Sequence, residues 1–207
     1  MRKAPAAHEA NVELPLFPLH ATLFPGGRLT IKVFGASYYA LAKRCITEGS
    51  GFGVVTLTGD PHVGTDQRFA RVGTYVTVAS FDAPAPDRFL LAVRGVQRFA
   101  ILDTATDASG LPRARIRWLP NEADVGLPAE HAELALLVRR LVEQLGEERF
   151  PKPHHFDSGS WVGSRLAELM QMPPTIKQAM LEINDPVVRL RTLAQLLNRG
   201  KLTRETT

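Results

Sequence analysis

Three prolines restrict this chain more than any other feature. The stretch LPLFPLHATLFPGG, from Leu14 to Gly27, is apolar enough for a buried helix, yet it contains Pro15, Pro18 and Pro25. A proline inside a helix removes a hydrogen bond and drives its ring into the preceding turn. An extended segment is what remains. With two N–H groups missing, that segment belongs at a sheet edge, where Leu14, Leu16, Phe17 and Leu19 cover a core. FPGG then reads as a tight turn, with Pro25 presetting φ and Gly26 free to take positive φ. Behind it, RLTIKVF alternates, sending Leu29, Ile31 and Val33 to one face and Arg28, Thr30 and Lys32 to the other.

The period then changes. Tyr38, Leu41, Ala42 and Cys45 recur at helical spacing between Ser37, a candidate N-cap, and Gly49, a candidate left-handed stop. FGVVTLT is a further strand, closed by GDP at Gly59–Pro61. ARVGTYVTVASF and RFLLAVRG flank DAPAPD as a long hairpin, and VQRFAILDTA and RARIRWL follow, separated by DASGLP. Such pairings build a curled sheet or small barrel rather than alternating βαβ units.

Pro120 ends this regime, and the polar NEADVGLP marks a boundary. EHAELALLVRRLVEQLG places Leu134, Leu137, Val138, Leu141 and Leu145 on one helical stripe, stopped by Gly146. A loop, EERFPKPHHFD, leads to a helix over about Ser158 to Gln171, with Val162, Leu166, Leu169 and Met170 inward. PPT restarts a helix carrying Ile176, Met180 and Ile183. The last helix has Asp185 as N-cap, Pro186 at its first position and Gly200 at its end. The reading is α+β: a flexible N-terminus over 1–11, a β-rich lobe with one short helix over 12–120, a four-helix bundle over 121–200, and a flexible tail over 201–207. A chain of 207 residues is long enough for two small lobes.

Cys45 is the single cysteine, so neither an internal disulfide nor a thiolate metal cage can form. The first residues, MRKAPAAHEANVEL, lack the apolar run of a signal peptide. No stretch approaches the roughly 20 apolar residues that span a bilayer, and a cytoplasmic location is expected. The net charge of +4 is uneven, with 14 Lys and Arg against 9 Asp and Glu over residues 1–118. That permits an acidic partner without demanding one.

LPLFPLHATLFPGGRLTIKVF, followed by a helix, GFGVVTL, VGTYVTV and RGVQRFAI, resembles the N-terminal domain of Lon, the ATP-dependent protease. PPTIKQAMLEINDPVVRLRTLAQLL is similar to the helical bundle that follows in that family, so the resemblance runs from about Val12 to Leu197. It implies a PUA-like β pseudobarrel and a part in recognising substrate proteins rather than in catalysis. The family's enzymes continue into an ATPase and a Ser–Lys protease, whereas this sequence stops at Thr207, which suggests a stand-alone module. Its Gly-Lys pair, Gly200–Lys201, lacks the glycine spacing and the Ser or Thr that a phosphate-cradling loop requires.

Candidate chemistry is sparse. The GxSxG elbow is missing, and Ser50, Ser158 and Ser160 sit in glycine-rich turns where capping outweighs catalysis. His20 flanks a turn with no carboxylate placed near it by local spacing. His154 and His155 are adjacent, so their side chains diverge, and no spacing supplies the further ligands that zinc needs. RFPKPHHF, with Phe150 and Phe156, is either an exposed apolar element or, preferably, a loop pinned by two buried rings. In RARIRWL the period of two sends Arg113, Arg115 and Arg117 to one face and Ala114, Ile116 and Trp118 to the core. Three guanidiniums in a row suit phosphates or acidic peptide segments. Other PUA-like proteins bind RNA, which adds slight weight to a nucleic-acid role. A solvated, charge-guarded strand is the stronger reading, since no aromatic run for base stacking accompanies it.

The expected function is therefore non-catalytic binding of unfolded polypeptide or a protein partner, with no cofactor, no metal and no catalytic residue. The alternative is an RNA- or anion-binding module built on Arg113, Arg115 and Arg117.

Overall fold

The computed structural model describes residues 12–58, 69–85 and 88–205. Residues 1–11, the Gly59–Pro61 turn and the last two residues of the expected tail lie outside the described residues. The chain divides into two compact units, Met1–Asn121 and Glu122–Thr207.

The first unit contains β1 (Val12–Leu19), β2 (Arg28–Val33), α1 (Ala36–Glu48), β3 (Gly51–Thr56), β4 (Val72–Ala85), β5 (Arg88–Thr106) and β6 (Pro112–Trp118). The strand order is β2-β5-β4-β3-β1-β6, and β5 also pairs with β6. Five strands thus close into a ring, with β2 attached outside it. The 19-residue length of β5 makes this possible. Its Phe89–Arg94 stretch pairs with β2, and its Phe99–Thr106 stretch pairs with β6. The two strands read separately on either side of Gly95 are therefore one, and the register with β4 shifts there between Tyr75 and Val76.

β1 is not a sheet edge. Its Leu16–Leu19 half runs parallel to β3, and its Val12–Pro15 half runs antiparallel to β6. Among the described residues each half has a single neighbour, so the missing N–H of Pro15 and of Pro18 can face the side where no ladder runs. The stagger, rather than exposure, accommodates the prolines.

One apolar core gathers Phe17, Phe52, Ile31, Leu91 and Val93 beneath Leu41 and Cys45 of α1. A second gathers Leu14, Leu16, Val55, Phe99, Ile116 and Trp118. Gly49 closes α1 in the left-handed conformation, as its position suggests. Ser37 is not the cap. Gly35 holds that position, and the Ser37 hydroxyl donates instead to the carbonyl of Ser109.

The second unit has a short 3-10 turn, Ala129–His131, then α2 (Ala132–Arg149), α3 (Gly159–Leu169), α4 (Pro174–Glu182) and α5 (Pro186–Glu205). Leu134, Val138 and Val142 form the buried stripe of α2, whereas Leu145 is exposed. Four-residue steps from Leu134 carry the buried line to Val142 and leave Leu145 off it. Gly146, with φ 79, leaves the helical conformation at the position expected for the stop, and a further helical turn follows it to Arg149. In α4, Ile176 is exposed and Met180 is buried. Ser158 caps α3 by accepting from Trp161 N–H, and Asp185 caps α5 by accepting from Val187 N–H at 2.8 Å. α5 continues through Gly200 to Glu205. No described helix is long and apolar enough to cross a membrane.

Candidate functional site

Along β5 the period of two places Phe89, Leu91 and Val93 on one face. Leu91 and Val93 are fully buried, and Phe89 is half-buried against the same core. Val33 lies opposite Phe89, and Phe81 lies opposite Leu91. The Phe81 and Phe89 rings stack with centroids 5.7 Å apart, and Tyr39 meets Phe89 edge-on at 5.3 Å. Phe34 follows β2 at the same end of the sheet. Phe34 is 69%, Tyr39 49% and Phe81 55% exposed. Large rings clustered in water mark a binding surface more often than scattered apolar residues do. Their planar faces also lose little rotamer freedom on contact.

Beside this cluster is a cleft of about 370 Å³ between the C-terminal turn of α1 and residues Thr77–Phe81 of β4. Cys45 and Ile46 line it from the helix. Burial pushes the Cys45 thiol above its ordinary pKa, while a hydrogen bond with Ser50 opposes the shift.

The arginine strand has the predicted geometry. Ala114, Ile116 and Trp118 are buried, Arg113 is half-buried, and Arg115 and Arg117 are exposed. Its charge is largely answered from within the chain. Arg113 reaches Glu13 at 3.3 Å and Asp107 at 3.9 Å, and Arg115 reaches Asp103 at 3.9 Å. Arg117 has no ion-pair partner among the described residues. Two of the three guanidiniums thus have carboxylate partners of their own.

The other singled-out residues fall into structural contacts. His154 bonds the Phe150 carbonyl through Nε2 at 2.8 Å, and His154, His155 and Phe156 pack around Trp161. Phe150 is buried, and Phe156 is half-buried under the Arg139 guanidinium, 4.2 Å from its ring centre. Ser158 and Ser160 donate to Asp124 and Glu122, and His20 is exposed. Among the described residues no three His, Cys, Asp or Glu side chains are grouped to hold a metal.

Two sequence landmarks meet in space. Gly26 N–H donates to the Gly95 carbonyl at 2.8 Å, and Gly95 N–H donates to the Gly27 carbonyl at 2.9 Å. The FPGG turn is thus pinned to the RGVQR segment. Sequence reasoning missed the aromatic cluster. The alternation of Phe89, Leu91 and Val93 is visible in the sequence, but nothing local indicates that Tyr39 of α1 and Phe81 of β4 meet Phe89.

Residues 13–199 match the family described as the ATP-dependent protease La (LON) substrate-binding domain. The chain is 27% identical over 203 residues to the Lon protease of Anaeromyxobacter dehalogenans (strain 2CP-C), covering 91% of this chain and 23% of that protein. It is 26% identical to Lon protease 2 of Myxococcus xanthus, covering 91% of this chain and 24% of that one. It therefore spans about a quarter of the length of these curated relatives. The crystal structure of a Lon N-terminal domain protein from Xanthomonas campestris superposes with a TM-score of 0.73 at 32% identity, covering 89% of this chain and 98% of that one. The N-terminal domain of the Mycobacterium avium complex Lon protease shares the fold, with a TM-score of 0.58 at 18% identity, covering 89% and 97%.

Proposed function

The chain belongs to the Lon substrate-binding-domain family, and from that premise we propose that it binds segments of unfolded or partner polypeptide without altering them covalently. The exposed rings of Tyr39 and Phe81 beside Phe89 carry this reading, with the exposed Phe34 following β2 at the same end of the sheet. They offer a ligand apolar contact outside the folded core, and an unfolded segment brings apolar side chains that gain from it. Delivery of the bound segment to a separate ATPase–protease chain, as an adaptor in the cytoplasm, is the role we assign to this binding.

The test is a titration with a permanently unfolded polypeptide, reduced and carboxymethylated. Saturable binding that weakens in Phe81→Ser supports the reading, and a flat titration across several such polypeptides defeats it. Nucleic-acid binding through Arg113, Arg115 and Arg117 has less support, because Glu13, Asp107 and Asp103 already engage the first two.

A further inference from the structure

We infer that the free edge of β4 adds an extended segment of the bound polypeptide as an extra strand; this rests on the polypeptide-binding reading and specifies its mode. β3 pairs with β4 from Gly51↔Thr77 to Val54↔Thr74 and no further. β4 itself runs on to Ala85, with β5 along one side only. The other side opens because Gly49 turns the chain from α1 into β3. Beyond Thr77, no strand among the described residues pairs with that edge. Val78 is half-buried, and Ala79 through Ala83 are exposed.

In an antiparallel ladder, every second residue directs its N–H and C=O toward a given neighbour. Residues 78–83 therefore present backbone donors and acceptors in two short runs, broken at Ala79, which is skipped in the β4–β5 register. At about 3.4 Å per residue the stretch is roughly 20 Å long, the length of an ordinary strand.

Side chains beside the edge suit the same occupant. The cleft of about 370 Å³ lies along Thr77–Phe81, floored by Cys45 and Ile46. It can take an apolar side chain from the added strand, while backbone pairing proceeds whatever the sequence. Phe81 joins the cleft to the aromatic cluster. A stretch rich in Val, Ile or aromatic residues and free of proline matches both features.

The open edge of β2 is different. β2 pairs with β5 alone, but it carries Arg28 and Lys32. Such charges discourage strand addition. From Val78 to Phe81 no residue is charged, and the first charge on the open edge is Asp82.

Amide hydrogen exchange on the full chain, with and without reduced, carboxymethylated polypeptide, reads the pairing directly. The expected result is slowed exchange across 78–83 that saturates with the polypeptide. Ala79→Pro and Ser80→Lys should each raise Kd about tenfold. Ala79 is the residue skipped in the β4–β5 register between Val78 and Ser80, a bulge position of the kind where strands accept proline. Circular dichroism establishes that each variant is folded, and Ser80→Lys carries the test alone if Ala79→Pro does not fold. Saturable binding without protection at 78–83, or a Kd indifferent to the folded variants, overturns edge pairing and leaves aromatic docking in place. Absence of binding overturns both. Protection at 78–83 in a concentration-dependent dimer without polypeptide assigns the edge to a second copy and overturns the inference.

Discussion

Arg189 and Glu122 form a two-pronged ion pair in the interior of the helical unit, 67 residues apart in sequence. Arg189 Nη1 donates to Glu122 Oε2 at 2.8 Å, and Nη2 donates to Oε1. The guanidinium also donates to the carbonyls of Met180 at 2.9 Å and Ile183 at 2.6 Å. Those carbonyls lie at the end of α4, where helical carbonyls lack intrahelical partners. Ser160 of α3 adds a 2.5 Å bond to Glu122. A single side chain on α5 thus ties together α4 and the segment that opens the unit. The Arg189 side chain is wholly buried, so its charge is tolerated only because each direction is answered.

Removing one partner strands the other in a low-dielectric interior, which costs about 3–5 kcal/mol. Arg189→Met and Glu122→Ala are expected to destabilise the helical unit by that order. Arg189→Lys should also destabilise it, because an ammonium cannot reproduce the fork. Trp161 lies in this unit and Trp118 in the other. Denaturant unfolding followed by Trp161 fluorescence in a Trp118→Phe background isolates the effect. A change below about 1 kcal/mol in Arg189→Met would remove the pair from any structural role.

Gly95 supplies a second, independent test in the β unit. A Cβ built there sits 2.3 Å from the Phe24 carbonyl oxygen, a backbone atom that cannot swing aside. Gly95→Ala must therefore push the FPGG turn away from β5 and stretch both Gly26 and Gly27 bonds. A loss of about 1–3 kcal/mol is expected, read from Trp118 fluorescence. Alanine accepted at no cost would mean that the turn is not pinned where it is described.

These two residues also separate what the sequence makes legible from what it does not. The turn at Pro25–Gly26 and the caps Gly49 and Asp185 follow from local backbone chemistry, and they occur where expected. The split faces of Arg113–Trp118 follow from a period of two. Contacts across long separations leave no such trace. Glu122 sits in a polar stretch that reads as a linker, and its burial depends on an arginine in a distant helix. The prolines of β1 misdirect for the same reason. Their tolerance depends on how two other strands stagger, which is a property of topology and not of the stretch itself.

Truncating the exposed rings should weaken binding without weakening the fold. Phe34 and Phe81 are largely in water, so Phe34→Ser and Phe81→Ser leave stability within about 0.5 kcal/mol of the parent. If the rings anchor polypeptide, each substitution raises Kd by roughly 5- to 30-fold, the effect of losing 1–2 kcal/mol at an interface anchor. Isothermal titration with carboxymethylated polypeptide measures it. Unchanged affinity in the double variant would transfer binding to another surface.

Charge reversal on β6 should act on stability rather than on ligand affinity. Arg113→Glu places a carboxylate against Glu13 and Asp107, whereas Arg117→Glu meets no ion-pair partner among the described residues. The expected cost is up to about 1 kcal/mol for the first and near zero for the second, both shrinking with salt. Binding of a single-stranded RNA probe should be weak in the parent and indifferent to both changes. A salt-steep affinity abolished by Arg117→Glu would restore the nucleic-acid reading.

Cys45 reports on the cleft and on alkaline stability together. Burial raises its pKa above the ordinary 9.0, as burial also raises those of Tyr38 and Tyr75. An acid whose folded pKa is raised keeps its proton more tightly in the folded state. The stability linked to it is fully present below the unfolded pKa and is lost as pH rises through the folded value. The β unit should therefore weaken as pH rises above 9, and Cys45→Ala should soften that decline without abolishing it, because the tyrosines remain. The same burial keeps thiolate scarce, so iodoacetamide at pH 8 should modify Cys45 far more slowly in the native chain than in the denatured one. Cys45 lines the cleft along β4, so saturating polypeptide should slow the reaction further. Native and denatured rates that coincide would show an open thiol, and the described burial of α1 against the sheet could not stand.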